Sequence, residues 1–175
     1  MKRMFLTRVA IAAIAVLTMS VAAGAQEKGD MAAGGSLVLG AGDSFTNIGI
    51  GAKFQYNVTT PIRLEGSFTY FLKKDYLKMW DLSVNGHWLF PLGEKITVYP
   101  LAGLGILNYG YDYSVDFGEL GSYGASGSTS DIAFNLGGGL DLKLTDRLVF
   151  NAELKYKISD VWDRLLLSAG LVYKF

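Results

Sequence analysis

Between Asp131 and Ile158 the chain reads DIAFNLGGGLDLKLTDRLVFNAELKYKI, and apolar side chains recur there at every second position through two long runs. Ile132, Phe134, Leu136, Leu140, Leu142 and Leu144 share one parity, and Ala133, Asn135, Gly137, Gly139, Asp141 and Lys143 share the other. After Thr145, Asp146 and Arg147 the rhythm resumes with Leu148, Phe150, Ala152, Leu154, Tyr156 and Ile158. A period of two is that of a strand with one apolar face. Pairing Leu144 with Leu148 across a three-residue loop sets Glu153 opposite Gly139 and Lys155 opposite Gly137, so long charged side chains face bare backbone. Each strand is about 11 to 13 residues, twice the usual globular length of roughly 5 or 6. A bilayer requires strands of that length.

Length and composition are consistent with one domain of 175 residues without cysteine, which excludes disulfides and thiolate chemistry. Residues 1–25 have the layout of a cleavable signal peptide: Lys2, Arg3 and Arg8, then an apolar run from Val9 to Ala22, then Ala23-Gly24-Ala25. Cleavage is expected after Ala25, leaving residues 26–175 as the mature domain. The apolar run is shorter than the roughly 20 residues of a spanning helix, and no other stretch approaches that length. Removing three of 16 basic residues leaves 13 against 16 acidic ones, a formal charge of −3. That balance offers no basic surface for nucleic acid.

In chain order, strands are expected over 31–41, 47–57, 62–71, 79–90, 96–107, 131–144, 148–158 and 165–175, eight in all. Pro61 and Pro91 sit in the expected turns 58–61 and 91–95. Residues 159–164 are expected to form a loop. Residues 96–107 have apolar side chains on both parities, so their faces stay unassigned. Residues 108–130 form the longest stretch without a clear pattern.

Alternation alone does not say whether the apolar face lines a core or meets lipid. Size decides between them. The apolar parity carries Phe54, Tyr56, Phe68, Tyr70, Trp80, Trp88, Phe90, Phe134, Phe150, Tyr156, Tyr173 and Phe175, which would overfill the interior of an eight-stranded barrel. The other parity mixes Gly, Ser and Asn with charges of both signs, which suits a narrow lumen. Eleven residues at about 3.3 Å, tilted about 40°, span on the order of 27 Å, near the roughly 25 Å apolar band of outer-membrane barrels. The expected fold is therefore an eight-stranded antiparallel up-and-down transmembrane β-barrel in the outer membrane of a Gram-negative cell. Its even strand number puts both termini on the periplasmic side.

The last residues, Ser168-Ala169-Gly170-Leu171-Val172-Tyr173-Lys174-Phe175, resemble the C-terminal assembly signal of bacterial outer-membrane barrels, with Ser168, Gly170, Tyr173 and Phe175 at its defining positions. Together with Tyr99-Pro100-Leu101-Ala102-Gly103-Leu104-Gly105 and Asn135-Leu136-Gly137-Gly138-Gly139-Leu140, they make the chain similar to the small outer-membrane β-barrel family that includes the transmembrane domain of outer membrane protein A. The resemblance implies insertion by the barrel assembly machinery into outer-membrane lipid. No peptidoglycan-binding domain follows Phe175, so a wall-anchoring role is not expected.

The residues offer little for catalysis. The single histidine, His87, has Asn85 and Leu89 as inward neighbours, so no Ser lies at the i+2 position that some lipid A deacylases use. It reads as a packed structural side chain. Metal-ligand spacing is missing, the glycine run at 137–139 lies in mid-strand rather than before a helix, and neither cofactor nor metal is expected. Lys53, Arg63, Glu65, Asp81, Asp141, Glu153, Lys155 and Lys157 face inward by parity, as a paired network filling the lumen or, alternatively, as a gated ion path. Residues 108–130 combine Tyr109, Tyr111, Tyr113 and Tyr123 with Asp112, Asp116 and Glu119 and no basic residue, a composition suited to adaptable recognition and equally to a plain flexible loop. Alternation of Tyr109, Tyr111 and Tyr113 would let the flanking strands continue above the membrane as a ribbon.

The sequence thus points to a non-enzymatic, monomeric outer-membrane barrel with a structural or surface-interaction role toward an extracellular ligand. A narrow porin-like channel is the alternative, and a lipid-modifying enzyme the third reading. The mature protein should begin at Gln26 and fractionate with the outer membrane, and deletion of Phe175 should impair assembly. Wild-type amounts of folded, heat-modifiable barrel after that deletion would refute the signal.

Overall fold

A computed structural model of the chain describes residues 28–42, 46–74, 77–116, 122–160 and 163–175. The expected signal peptide, residues 1–25, lies outside the described residues. The strands are β1 (Met31–Gly42), β2 (Thr46–Thr59), β3 (Ile62–Lys74), β4 (Leu77–Trp88), β5 (Phe90–Leu92), β6 (Ile96–Asp116), β7 (Ser122–Lys143), β8 (Leu148–Ser159) and β9 (Arg164–Lys174). All pairings are antiparallel; consecutive strands pair except β4 and β5, and β9 pairs with β1 to close the ring. β4 and β5 both pair with β6 and make one stave interrupted at Leu89, so the barrel has eight staves.

Closure matters because an open edge in hydrocarbon would leave backbone donors and acceptors unsatisfied, at several kcal/mol each. The outer surface is the inverse of a soluble protein's. Leu37, Ile132 and Phe134 are 65%, 67% and 61% exposed, whereas Glu65, Asn85 and Lys157 are buried on the opposite parity. Lipid therefore takes the place that a core would occupy.

Three sequence expectations need correction. Phe90, assigned to the lipid-facing set, is buried, because the stave breaks at Leu89 and resumes as β5. Pro91 is paired with Thr97 instead of lying in the turn, and the turn narrows to residues 93–95, with Gly93 at φ 80°. Such a φ favours glycine, which has no Cβ to clash. Arg164, expected in a loop, opens β9 and is buried facing inward. The unassigned faces of 96–107 resolve into Tyr99, Leu101 and Leu107 inward, with Leu104 and Ile106 toward lipid.

The β7–β8 register sets Glu153 against Gly139 and Lys155 against Gly137, and the connecting turn is closed by Leu144 N–H donating to Leu148 O at 2.9 Å. In that turn the Lys143 ammonium bonds Asp146 at 2.9 Å and holds its carboxyl below the ordinary range.

β6 and β7 are 21 and 22 residues long, against 11 to 14 for the other full-length strands. Their mutual pairing runs from Ile96↔Leu142 to Asp116↔Ser122. The neighbouring staves stop earlier, β4 at Leu77↔Tyr111 and β8 at Ala133↔Ser159. The stretch read as unpatterned thus largely continues two strands beyond the barrel rim as a hairpin.

The β1–β9 seam is held close by glycine. A Cβ on Gly170 would strike Gly35 O and lie 2.6 Å from Ser36 Cα, and one on Gly34 would strike Leu171 O. Gly66, by contrast, has nothing within 4 Å of a built Cβ. Gly170→Val should therefore block closure and abolish the heat-modifiable gel shift of the folded barrel, while Gly66→Ala should leave it intact.

Candidate functional site

The inward side chains form three layers. Toward the hairpin end, Val38, Phe71, Met79, Leu107 and Leu166 make an apolar cluster, against which Tyr109 at the hairpin root packs. Toward the end bearing the termini, Leu89, Tyr99 and Leu101 make a second one. Charged and amide groups occupy the space between.

Tyr99 organises the lower part of that polar space. Its ring covers Gly139 directly across the β6–β7 ladder, where a Cβ would collide with it. The His87 ring stacks on Tyr99 at 4.5 Å and 10°, and the Arg63 guanidinium lies 4.6 Å from the same ring centre. Arg63 bonds Asp141 at 2.6 Å and donates to His87 Nδ1. Asn151 Nδ2 donates to Asp141 Oδ1 at 2.7 Å and to Tyr99 Oη at 2.6 Å, and Tyr99 Oη donates to Glu153 Oε1 at 2.8 Å.

Above it, two ammonium groups share two carboxylates. Lys53 Nζ lies 2.9 Å from Glu153 Oε2 and 3.3 Å from Glu65 Oε2, and also donates to Asn151 Oδ1 at 2.7 Å. Lys155 Nζ lies 3.3 Å from Glu153 Oε2 and 3.9 Å from Glu65 Oε1. Gln55 donates to Glu65 at 3.0 Å. Nearer the hairpin, Lys157 pairs with Asp81 and donates to Ser83, and Asn135 donates to Asn85 at 2.8 Å. Arg164 donates to Asn47 at 2.5 Å, contacts Met79 Sδ and lies over Phe71 at 5.1 Å.

All eight charged residues singled out in the sequence, Lys53, Arg63, Glu65, Asp81, Asp141, Glu153, Lys155 and Lys157, are buried in this network. Sequence reasoning missed Tyr99, Asn151 and Arg164. Asn151 shares the parity of Glu153 and was recoverable from it, whereas Tyr99 sits in a run with no visible face.

Of the hairpin residues singled out, Tyr109 is half-buried at the root. Tyr111, Asp112, Tyr113 and Asp116 lie along β6, and Tyr123 lies on β7 in register with Val115. Glu119 falls outside the described residues. Ser168 and Gly170 face the lumen side of β9, and Tyr173 and Phe175 lie at its exposed far end, where Tyr173 Oη accepts from Arg147 at 3.2 Å.

Chemically, the lumen is arranged to neutralise charge. His87 Nδ1 is engaged by Arg63 and is not placed to take a proton from a hydroxyl. Among the described residues one group has metal-ligand chemistry, Glu65, His87 and Glu153, each offering an atom within 4.8 Å of the others. Glu153→Ala would leave Lys53 and Lys155 short of a partner and Tyr99 Oη without its acceptor. It should destabilise the barrel by about 3 to 5 kcal/mol in urea unfolding, with Glu153→Gln milder because it keeps the Tyr99 bond.

The sequence matches the family described as "Outer membrane protein beta-barrel domain" over residues 9–175. Among curated proteins no sequence matches. Among solved structures, the N-terminal β-barrel domain of Pseudomonas aeruginosa OprF superposes with a TM-score of 0.63 at 16% identity, covering 86% of this chain and 100% of that one. Ail, the attachment invasion locus protein of Yersinia pestis, gives a TM-score of 0.59 at 21% identity, covering 85% and 99%. Neisserial surface protein A gives 0.62 at 14%, covering 83% and 96%. These identities speak to fold alone, and that fold is the lipid-facing, charge-filled barrel described above. A family match along almost the whole sequence completes the argument: the chain belongs to the outer membrane protein beta-barrel domain family and resides in the cell outer membrane.

Proposed function

We propose that this protein is a non-enzymatic barrel with a filled lumen, whose role is to present the β6–β7 hairpin to a partner outside the cell. The observation that carries this reading is the length of that hairpin, which outruns the staves on both sides. With residues 1–25 removed on secretion and both termini periplasmic, the hairpin projects outward. The chain inserts into outer-membrane lipid through the barrel assembly machinery, reading Ser168, Gly170, Tyr173 and Phe175, and works as a monomer.

Beyond the rim, among the described residues, β7 is paired only with β6 from Ser122 to Ile132. Its other edge offers backbone donors and acceptors for strand addition. Residues 108–130 contain Asp112, Asp116 and Glu119 and no Lys or Arg, so the partner is basic or cationic and its binding weakens with salt. The Ail barrel has been crystallised with a heparin analogue, sucrose octasulfate. A polyanion of that kind does not suit the acidic hairpin of this chain.

A narrow channel is the second reading, favoured by the polar network through the middle of the barrel. Two clusters of packed hydrophobic side chains, one on either side of that network, weigh against it, since they help to fill the narrow lumen.

Replacing residues 112–128 by a short Gly-Ser linker should leave a folded, heat-modifiable barrel, because closure entropy changes slowly with loop length. Binding to basic host or cell-surface proteins should be lost, and planar-bilayer conductance of the intact barrel should be small. Binding unchanged by the replacement would remove the recognition role, and a large steady pore would favour the channel.

A further inference from the structure

His87 is held in one tautomer by its neighbours. Nε and one terminal nitrogen of Arg63 each lie 3.1 Å from His87 Nδ1. Arginine can only donate, so Nδ1 is an acceptor and the neutral ring carries its proton on Nε2. That Nε2 is buried without a hydrogen-bond partner, as are Glu65 Oε1 and Glu153 Oε2. Both carboxylate oxygens are ion-paired, Glu153 Oε2 with Lys53 and Lys155 at 2.9 and 3.3 Å and Glu65 Oε1 with Lys155 at 3.9 Å. The three residues are 2% exposed or less and bring one atom each within 4.8 Å of one another. The His87 Nε2–H is thus the one group of the three without any polar contact, which is costly for a buried donor, and the two ion-paired carboxylate oxygens beside it each keep room for a further donor.

Two guests suit a histidine between two carboxylates, and the surroundings distinguish them. A divalent metal would need the Nε2 lone pair, which moves the ring proton to Nδ1, where it would point at two arginine donors. It would also add two positive charges to a cluster in which Lys53, Arg63 and Lys155 already match Glu65, Asp141 and Glu153. A water molecule needs neither change. It accepts one hydrogen bond and donates two, which is the complement of one N–H and two carboxylate oxygens, and it adds no charge. Buried waters typically make about three such bonds.

We propose that the centre of the lumen is a binding site for a single ordered water, accepting from His87 Nε2–H and donating to Glu65 Oε1 and Glu153 Oε2. The water fixes the His87 ring on Tyr99 and so helps to keep the lumen filled.

Since the chain has one histidine, its ring can be read without ambiguity in the folded, nitrogen-15-labelled barrel. The expected spectrum shows Nε2 protonated and Nδ1 bare, with the Nε2 proton cross-relaxing to a long-lived water. Addition of zinc or cobalt should leave both signals in place. A high-resolution crystal structure should show water density in contact with all three groups. That density should persist in His87→Gln, whose amide N–H reaches the Nε2 position, and be lost in His87→Phe. A ring protonated on Nδ1, a metal-induced shift of Nε2, or an Nε2 proton without water contact would each overturn the proposal, whichever variants fold.

Discussion

Everything in this molecule depends on completing the backbone hydrogen-bond ladder inside a medium that offers no alternative partner. In water a frayed edge costs little, because solvent takes over the lost bonds. In hydrocarbon each orphaned amide or carbonyl costs several kcal/mol, so the sheet must meet itself. That requirement explains why β9 lies antiparallel against β1 over 11 residue pairs. It also explains why glycines sit where those two strands come together: Gly34 and Gly170 leave room for the opposite backbone, and a methyl group there would occupy the space of a carbonyl oxygen.

Closing the ring encloses a cylinder too narrow for water-filled bulk, and the lumen is packed by matching volumes and charges across it. Gly139 makes room for the Tyr99 ring, and Gly137 lies against the Lys155 backbone. The ring in turn supports His87 and Arg63. Buried charges are tolerable only when paired and hydrogen-bonded. Lys53, which reaches Glu65, Glu153 and Asn151 from a single ammonium, shows how few side chains are needed when each serves several partners.

How much of this was legible in the sequence depended on whether the two faces of a strand met different media. Wherever lipid lay on one side and the charged lumen on the other, parity read cleanly, as for Glu153 and Lys155. Residues 96–107 were opaque because Tyr99, Leu101 and Leu107 line the lumen with apolar groups, so both faces look alike from composition. Arg164 was misplaced because a charged residue after Asp160 and Asp163 looks like loop, and only its contacts with Asn47, Met79 and Phe71 show that it belongs to a strand. The hairpin was legible only in part. The alternation of Tyr109, Tyr111 and Tyr113 marks its β6 arm, whereas the Gly- and Ser-rich β7 arm, with no apolar medium above the rim to impose an alternation, carries no periodic mark.

The order of the staves also has a kinetic meaning. With β4 and β5 counted as one stave, every pairing but one joins staves adjacent in the chain, so the sheet can grow by adding one hairpin at a time, each step closing a short loop. The exception brings Ala32 to Lys174 and Gly42 to Arg164, contacts at the largest sequence separation the fold contains. The entropic cost of long-range contact is thus concentrated in a single event, and before it the barrel is a curved sheet with two free edges. A chain built this way spends its vulnerable interval as that open sheet, with its first and last strands as the surfaces that must be shielded until they meet.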